Sequence, residues 1–141
     1  MVHGIRQKKF INGGYNSIKD MNSKQKGKRG ELQLVEALRT AGYANARRSA
    51  QYCGNTGEAP DVVGIDGLHI ECKRREQIQD EVFLQQAEKE AKEGLVPLVI
   101  YRRSREKWKV CLRLEVFLAI WGELTELQRY KIMEKIKFIR Q

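Results

Sequence analysis

The sequence predicts an α/β fold: a mixed β-sheet flanked by helices, with elements in the order α-β-β-β-α-β-β-α. Three observations lead there. Leu34, Val35, Leu38 and Ala41 recur on one helical stripe, and Gly42 follows as a helix terminator. Residues 61–65 and 68–74 alternate as strands on either side of Asp66-Gly67, a strong hairpin signal. Finally, a helical pattern over 80–93, with Phe83, Ala87 and Ala91 on its apolar side and Gly94 at its end, precedes a β-branched run over 96–101.

The remaining elements are placed around these. Residues 1–25 are rich in Gly, Asn, Ser and Lys and lack a sustained period, so they are expected to form a basic, mobile N-terminal arm. Helical periodicity is expected from about Gly30. Residues 43–49 are expected to form a short strand, and 50–60, with Gly54, Asn55, Gly57 and Pro60, a loop. A charged turn over 102–107 leads to a strand at 108–112. Helices follow at 114–121 and 125–139, the second with Ile132, Met133, Ile136 and Ile139 on one face. That face is expected to pack into the core, although it would also serve as an interface. No internal repeat is visible, and the length suits one domain over 26–141 behind the arm.

Composition narrows the function classes. Hydrophobic residues make up 41% of the chain and charged residues 32%, as in a soluble globular protein. No run approaches the ~20 apolar residues of a membrane span, and the start lacks a signal-peptide pattern, so the expectation is a cytoplasmic protein without membrane contact. The cysteines, Cys53, Cys72 and Cys111, are odd in number and unpaired in sequence, which argues against a disulfide framework. With only His3 and His69 to help them, they also argue against structural zinc. The net charge is +9. Eight basic residues against Asp20 fall within residues 1–30, so the excess is concentrated at one end. A polyanion, nucleic acid above all, is the partner such an end favours, and a solvating tail is the bland alternative.

The chemistry-bearing residues are Glu31, Asp61, Glu71 and Lys73. Alternation along a strand puts Glu71 and Lys73 on one face and Leu68, Ile70 and Cys72 on the other. Alone, this pair reads first as a surface ion pair. Asp61 adds to it according to register. A two-residue turn at Asp66-Gly67 would put Asp61 opposite Cys72. A three-residue turn, Ile65-Asp66-Gly67 with Gly67 left-handed, pairs Gly64 with Leu68 and sets Asp61 directly opposite Glu71, ~5 Å apart at Cβ. The three-residue turn is the prediction. Two carboxylates so close repel unless a cation lies between them, and hard oxygen ligands suit Mg²⁺, with Mn²⁺ as a substitute. Glu31 shares the stripe of Leu34 and Val35 and is expected to point at the sheet, whereas its place in the helix is also explained by the dipole. Gln86 lies beside Phe83 and Ala87 on an apolar stripe and needs a partner there.

These residues carry a resemblance. Gly30-Glu31, Gly42-Tyr43, Arg47-Arg48-Ser49, Pro60-Asp61-Val62-Val63, Ile70-Glu71-Cys72-Lys73 and Gln85-Gln86-Ala87-Glu88, in that order over about residues 24–103, resemble the archaeal-type Holliday-junction resolvases and their phage relatives, within the PD-(D/E)xK nuclease superfamily. The resemblance implies a restriction-endonuclease-like fold and Mg²⁺-dependent hydrolysis of DNA at four-way junctions, leaving 5′-phosphate and 3′-hydroxyl ends. It implies that Asp61 and Glu71 bind metal with the Cys72 carbonyl, that Glu31 completes the site, and that Lys73 orients the attacking water. Gln86 would support Lys73, and Ser49 would lie near the scissile strand. The loop after Ser49, with Gln51-Tyr52-Cys53, departs from the archaeal pattern, and the C-terminal helix has no counterpart in it. Lys24, Lys26, Lys28, Arg29, Arg47, Arg48, Arg74 and Arg75 are the expected DNA contacts, with a second basic patch at Arg102, Arg103, Arg105, Lys107 and Lys109. A symmetric dimer matches the two equivalent cuts of a junction, so the resemblance implies a homodimer; a phage-encoded member would act in the host cytoplasm. The competing expectations are another nuclease of the superfamily, acting by nicking, repair or on branched DNA, and a non-catalytic DNA-binding module.

Overall fold

The computed structural model describes residues 14–49 and 59–141, with side chains from residue 22 in the first stretch. Four helices and five strands follow one another as α1 (Gly14–Thr40), β1 (Arg47–Arg48), β2 (Val62–Val63), β3 (Leu68–Arg74), α2 (Asp80–Glu90), β4 (Val96–Arg102), β5 (Lys109–Cys111), α3 (Leu114–Glu123) and α4 (Glu126–Arg140). The strands make one sheet in chain order. Its β1–β2, β2–β3 and β4–β5 neighbours are antiparallel, while β3 and β4 run parallel with α2 in the crossover between them. This is the expected mixed α/β sheet, of restriction-endonuclease-like type.

The two faces of the sheet cover two small cores. Ile70 and Cys72 join Val62, Leu98 and Ile100 beneath Leu34 and Val35 of α1. On the opposite face Val99 meets Phe83, Leu84 and Ala87 of α2. Cys72 is therefore a core thiol and Cys111 a half-buried one, both free; Cys53 lies outside the described residues.

Several boundaries differ from the sequence expectation. Helix α1 begins at Gly14, well before Gly30, so 14–29 are helical where an arm and a late start were expected. Residues 22–29 are exposed on that extension. A polar, glycine-containing stretch lacks the apolar stripe that announces a helix, yet adding turns to a formed helix costs no new nucleus. The expected strand over 43–49 shrinks to Arg47–Arg48. The reason is the α1 terminus. Gly42 has φ +105°, its N–H bonds the Arg39 carbonyl, and the Tyr43 N–H reaches back to Leu38, a Schellman ending that commits 41–45 to turns. Strand β2 covers only Val62–Val63 of the expected 61–65 because Gly64 is left-handed. Helix α2 stops at Glu90, three residues early, and Gly94 closes the following turn.

The C-terminal helices depart furthest. No residue of α3 or α4 is buried. Met133, Ile136 and Ile139 are exposed, so the face expected to pack into the core does not do so within this chain. Phe117, Leu118, Tyr130 and Phe138 are exposed beside them. Among the described residues no helix is long and apolar enough to cross a membrane.

Candidate active site

The hairpin of β2 and β3 sets the site. Val62 pairs with Ile70, which places Asp61 opposite Glu71 and Gly64 opposite Leu68. This is the register of the three-residue turn, with Gly67 left-handed at φ +82° and the Leu68 N–H on the Ile65 carbonyl. Since Val62 and Ile70 face α1, alternation turns Asp61, Glu71 and Lys73 to the other face. One Asp61 carboxylate oxygen accepts the Cys72 backbone N–H at 2.8 Å, so the acid is fixed on the edge of β3.

Glu71 is only 2% exposed. Lys73 Nζ lies 3.3 Å from its Oε2 and donates to Gln86 Oε1 at 3.2 Å. Gln86 in turn donates to Glu90 at 3.2 Å, so α2 carries a polar chain down onto the strand. The half-buried Gln86 thus finds the partner that its place on an apolar stripe demanded. Burial, and then the Asp61 charge, push the Glu71 carboxyl up to about 8, with Lys73 opposing. A carboxylate held in that state fits a cation: placing one beside Asp61 and Glu71 supplies the charge their proximity lacks. The donor set is hard oxygen, as a divalent ion of the Mg²⁺ or Mn²⁺ kind requires.

Glu31 is half-buried on α1 and turns toward the sheet, where its carboxylate pairs with Arg48 of β1 at 2.5 Å. Gly30 explains the close approach. A Cβ there would come within 2.9 Å of Arg74 Cβ, so only glycine lets the helix lie this near β3. Glu31, Asp61, Cys72 and Lys73 all line a cleft of about 690 Å³, together with Lys26, Arg29, Arg74 and Arg75. The cleft therefore joins Glu31 and Asp61 to half of the expected DNA contacts, while Glu71 lies buried outside its lining. Lys24, Lys28 and Arg47 are exposed outside its lining. Ser49 is half-buried and donates its backbone N–H to the Asp61 carbonyl, which ties the β1 end to the acid but leaves Ser49 outside the lining. In the second basic patch, Arg102 lies over the Trp108 ring at 4.4 Å and donates to Gln33, and Lys109 pairs with Glu106.

Sequence reasoning missed two residues. Among the described residues, one set of His, Cys, Asp and Glu brings its ligand atoms within 4.8 Å of one another: His69, Glu71 and Glu90. Glu31, Asp61 and Glu71 do not form such a set. His69 is fully buried, and burial lowers its pKa, favouring the neutral imidazole. The available signal was parity: His69 stands two residues before Glu71 on the same strand face.

The order of these features along the chain also matches a protein-family model. Residues 22–139 match the family described as "Phage putative PDDEXK endonuclease". The chain belongs to this family. The match spans both the hairpin with its acids and α4, the C-terminal helix that the resemblance left without a counterpart. No curated protein and no solved structure matches it. Membership makes the protein a nuclease by family, with DNA as the class of substrate.

Proposed function

We propose that this protein is a Mg²⁺-dependent, structure-specific DNA endonuclease that resolves four-way junctions. The observation that carries the reading is the register that sets Asp61 opposite Glu71, with Lys73 beside them and Gln86 holding Lys73. Asp61 and Glu71 would hold the divalent ion, with the Cys72 carbonyl as a further ligand. When bound, the ion supplies Lewis-acid stabilisation of the phosphate and lowers the pKa of its water. The rest falls to the chain. Lys73 orients the attacking water and steadies the non-bridging phosphate oxygen, and Gln86 fixes Lys73. The water oxygen bonds to phosphorus as the P–O3′ bond breaks, and the proton the water loses is balanced by one taken up from solvent by the 3′-oxygen, which yields 5′-phosphate and 3′-hydroxyl ends. Positioning and charge stabilisation contribute most of the rate. Glu31, now paired with Arg48, would complete the ligand set, and Arg48 would serve as a phosphate contact. Ser49, joined to Asp61 through the backbone, would border the scissile strand.

Support for DNA as the bound polymer comes from Lys26, Arg29, Arg74 and Arg75 around the acids. Support for the junction comes from the motif order and from the exposed apolar faces of α3 and α4. Covered by a second copy, these faces would give a homodimer with two equivalent sites. The test is incubation of the protein with a labelled four-way junction and a matching linear duplex, in Mg²⁺ and in EDTA, beside Glu71→Gln and Lys73→Ala. Paired cuts in the junction that need Mg²⁺ and both residues are expected. Equal cutting of duplex would remove the junction specificity. Binding without cutting in Mg²⁺ and Mn²⁺ would leave a DNA-binding module.

A further inference from the structure

The strand face that carries Glu71 continues back to His69, and there the polar groups are poorly satisfied. His69 is fully buried, yet neither ring nitrogen has a hydrogen-bond partner. Its Nε2 lies 3.5 Å from Glu71 Oε1 without a hydrogen bond between them. Glu90, at the last position of α2, brings a carboxylate oxygen within 4.8 Å of both. A buried imidazole with two idle nitrogens is rare in a folded protein and asks for an ion or a water.

We infer that His69, Glu71 and Glu90 form a second cation site, between β3 and the C-terminal end of α2, that takes a divalent transition metal such as Mn²⁺ or Zn²⁺ in preference to Mg²⁺. The donor set decides the class. One imidazole nitrogen with two carboxylates suits borderline ions, whereas Mg²⁺ favours oxygen alone. The spacing is close to what such an ion needs: ligand atoms ~2.1 Å from a tetrahedral centre stand about 3.4 Å apart, and the His69–Glu71 pair is at 3.5 Å. The end of α2 adds favourable charge, since a helix C-terminus presents unsatisfied carbonyls. Gln86, bonded to both Glu90 and Lys73, orients the Glu90 carboxylate. Glu71 then bridges, with Oε1 toward this site and Oε2 toward Lys73. Glu90 is half-buried, so it gives the ion its way in.

This site is separate from Asp61, and its existence does not depend on DNA cleavage. It can therefore be read by metal binding alone. The chain holds only two histidines, His3 and His69, which makes nitrogen coordination easy to assign. Mn²⁺ is titrated calorimetrically into the untagged full-length protein, and ¹⁴N coupling to the bound ion is read by pulsed EPR. Asp61→Asn is expected to keep one Mn²⁺ with imidazole coupling, undisplaced by a tenfold excess of Mg²⁺. His69→Asn is expected to lose the coupling, and Glu90→Gln to weaken that Mn²⁺ at least tenfold, while His3→Gln changes neither. Absence of coupling in Asp61→Asn, or its survival in His69→Asn, overturns the inference. If His69→Asn does not fold, the half-buried Glu90→Gln decides: unchanged affinity and coupling overturn it equally.

Discussion

Lys73 Nζ donates to Gln86 Oε1 at 3.2 Å while standing 3.3 Å from Glu71, so one lysine is shared between β3 and α2. An ammonium held on two sides has little freedom to wander. Removing the Gln86 amide leaves Lys73 with Glu71 and the Phe83 ring, 5.6 Å away, and drawn toward the carboxylate charge. For Gln86→Leu, single-turnover cleavage is expected to fall about 10- to 100-fold, the usual cost of losing an outer partner, with Mg²⁺ affinity little changed. Lys73→Ala, which removes the positioning group itself, is expected to lose about 10²- to 10³-fold in kcat. Equal rates for Gln86→Leu and wild type would show that the contact does not hold Lys73 for catalysis.

Glu71 makes the metal-free protein sensitive to pH. Its folded-state pKa is raised to about 8 from an ordinary 4.5, by burial first and by Asp61 second. Between those values the native state holds a proton that the unfolded chain has released. The stability that this protonation contributes is therefore complete below about pH 4.5 and is lost as pH rises toward 8. In EDTA, the urea midpoint of the wild type is expected to decline over this window more than that of Glu71→Gln, which carries no titrating group. Mn²⁺ replaces the proton, so it should restore the wild type at pH 8 and leave Glu71→Gln unmoved. Parallel pH profiles for the two proteins in EDTA would contradict the account.

Gly64 fixes the register from behind. It has φ +95°, and a Cβ there would stand 2.0 Å from the Asn45 backbone carbonyl oxygen. Gly64→Ala therefore meets both a strained backbone and a fixed neighbour. Its cost is expected to exceed the ~1 kcal/mol of a simple glycine replacement and to reach about 2–4 kcal/mol, measured as a shift in the urea midpoint. Gly67 has φ +82° but open space around it, so Gly67→Ala should cost less. A larger loss at Gly67 than at Gly64 would mean that the hairpin turn, not the contact with residue 45, sets the position of Asp61.

What the sequence disclosed here was local. The turn at Ile65-Asp66-Gly67 offered two registers, of which the prediction took the one that sets Asp61 opposite Glu71, and period-two alternation put Glu71 and Lys73 together, because both depend on neighbours in the chain. Three features rest on long-range packing and stayed hidden. The close approach of α1 that seats Glu31 beside Arg48 depends on Gly30 meeting Arg74. The partnership of His69 with Glu90 depends on where α2 ends above β3. The periodic stripe of α4 marks an apolar face without saying what covers it, so a core helix and an exposed one read alike.

The basic side chains around the cleft yield a prediction that separates binding from chemistry. Lys26, Arg29, Arg74 and Arg75 line it beside Glu31, Asp61 and Lys73. Arg75 also lies 5.7 Å from the centre of the Phe83 ring, which holds its guanidinium near the site. A phosphate contact made by such a group contributes through counterion release and carries no sequence information. Arg75→Ala is therefore expected to weaken junction and duplex DNA by similar factors and to lower the slope of log K against log salt by about 1. Lys107→Ala, whose side chain is outside the cleft lining although Ser104 of the same turn borders it, is expected to leave the slope nearly unchanged. Fluorescence anisotropy in EDTA, from 50 to 300 mM salt, measures both variants without cleavage. A loss confined to the junction would make Arg75 a reader of branch geometry, and an unaltered slope would place the DNA on another surface.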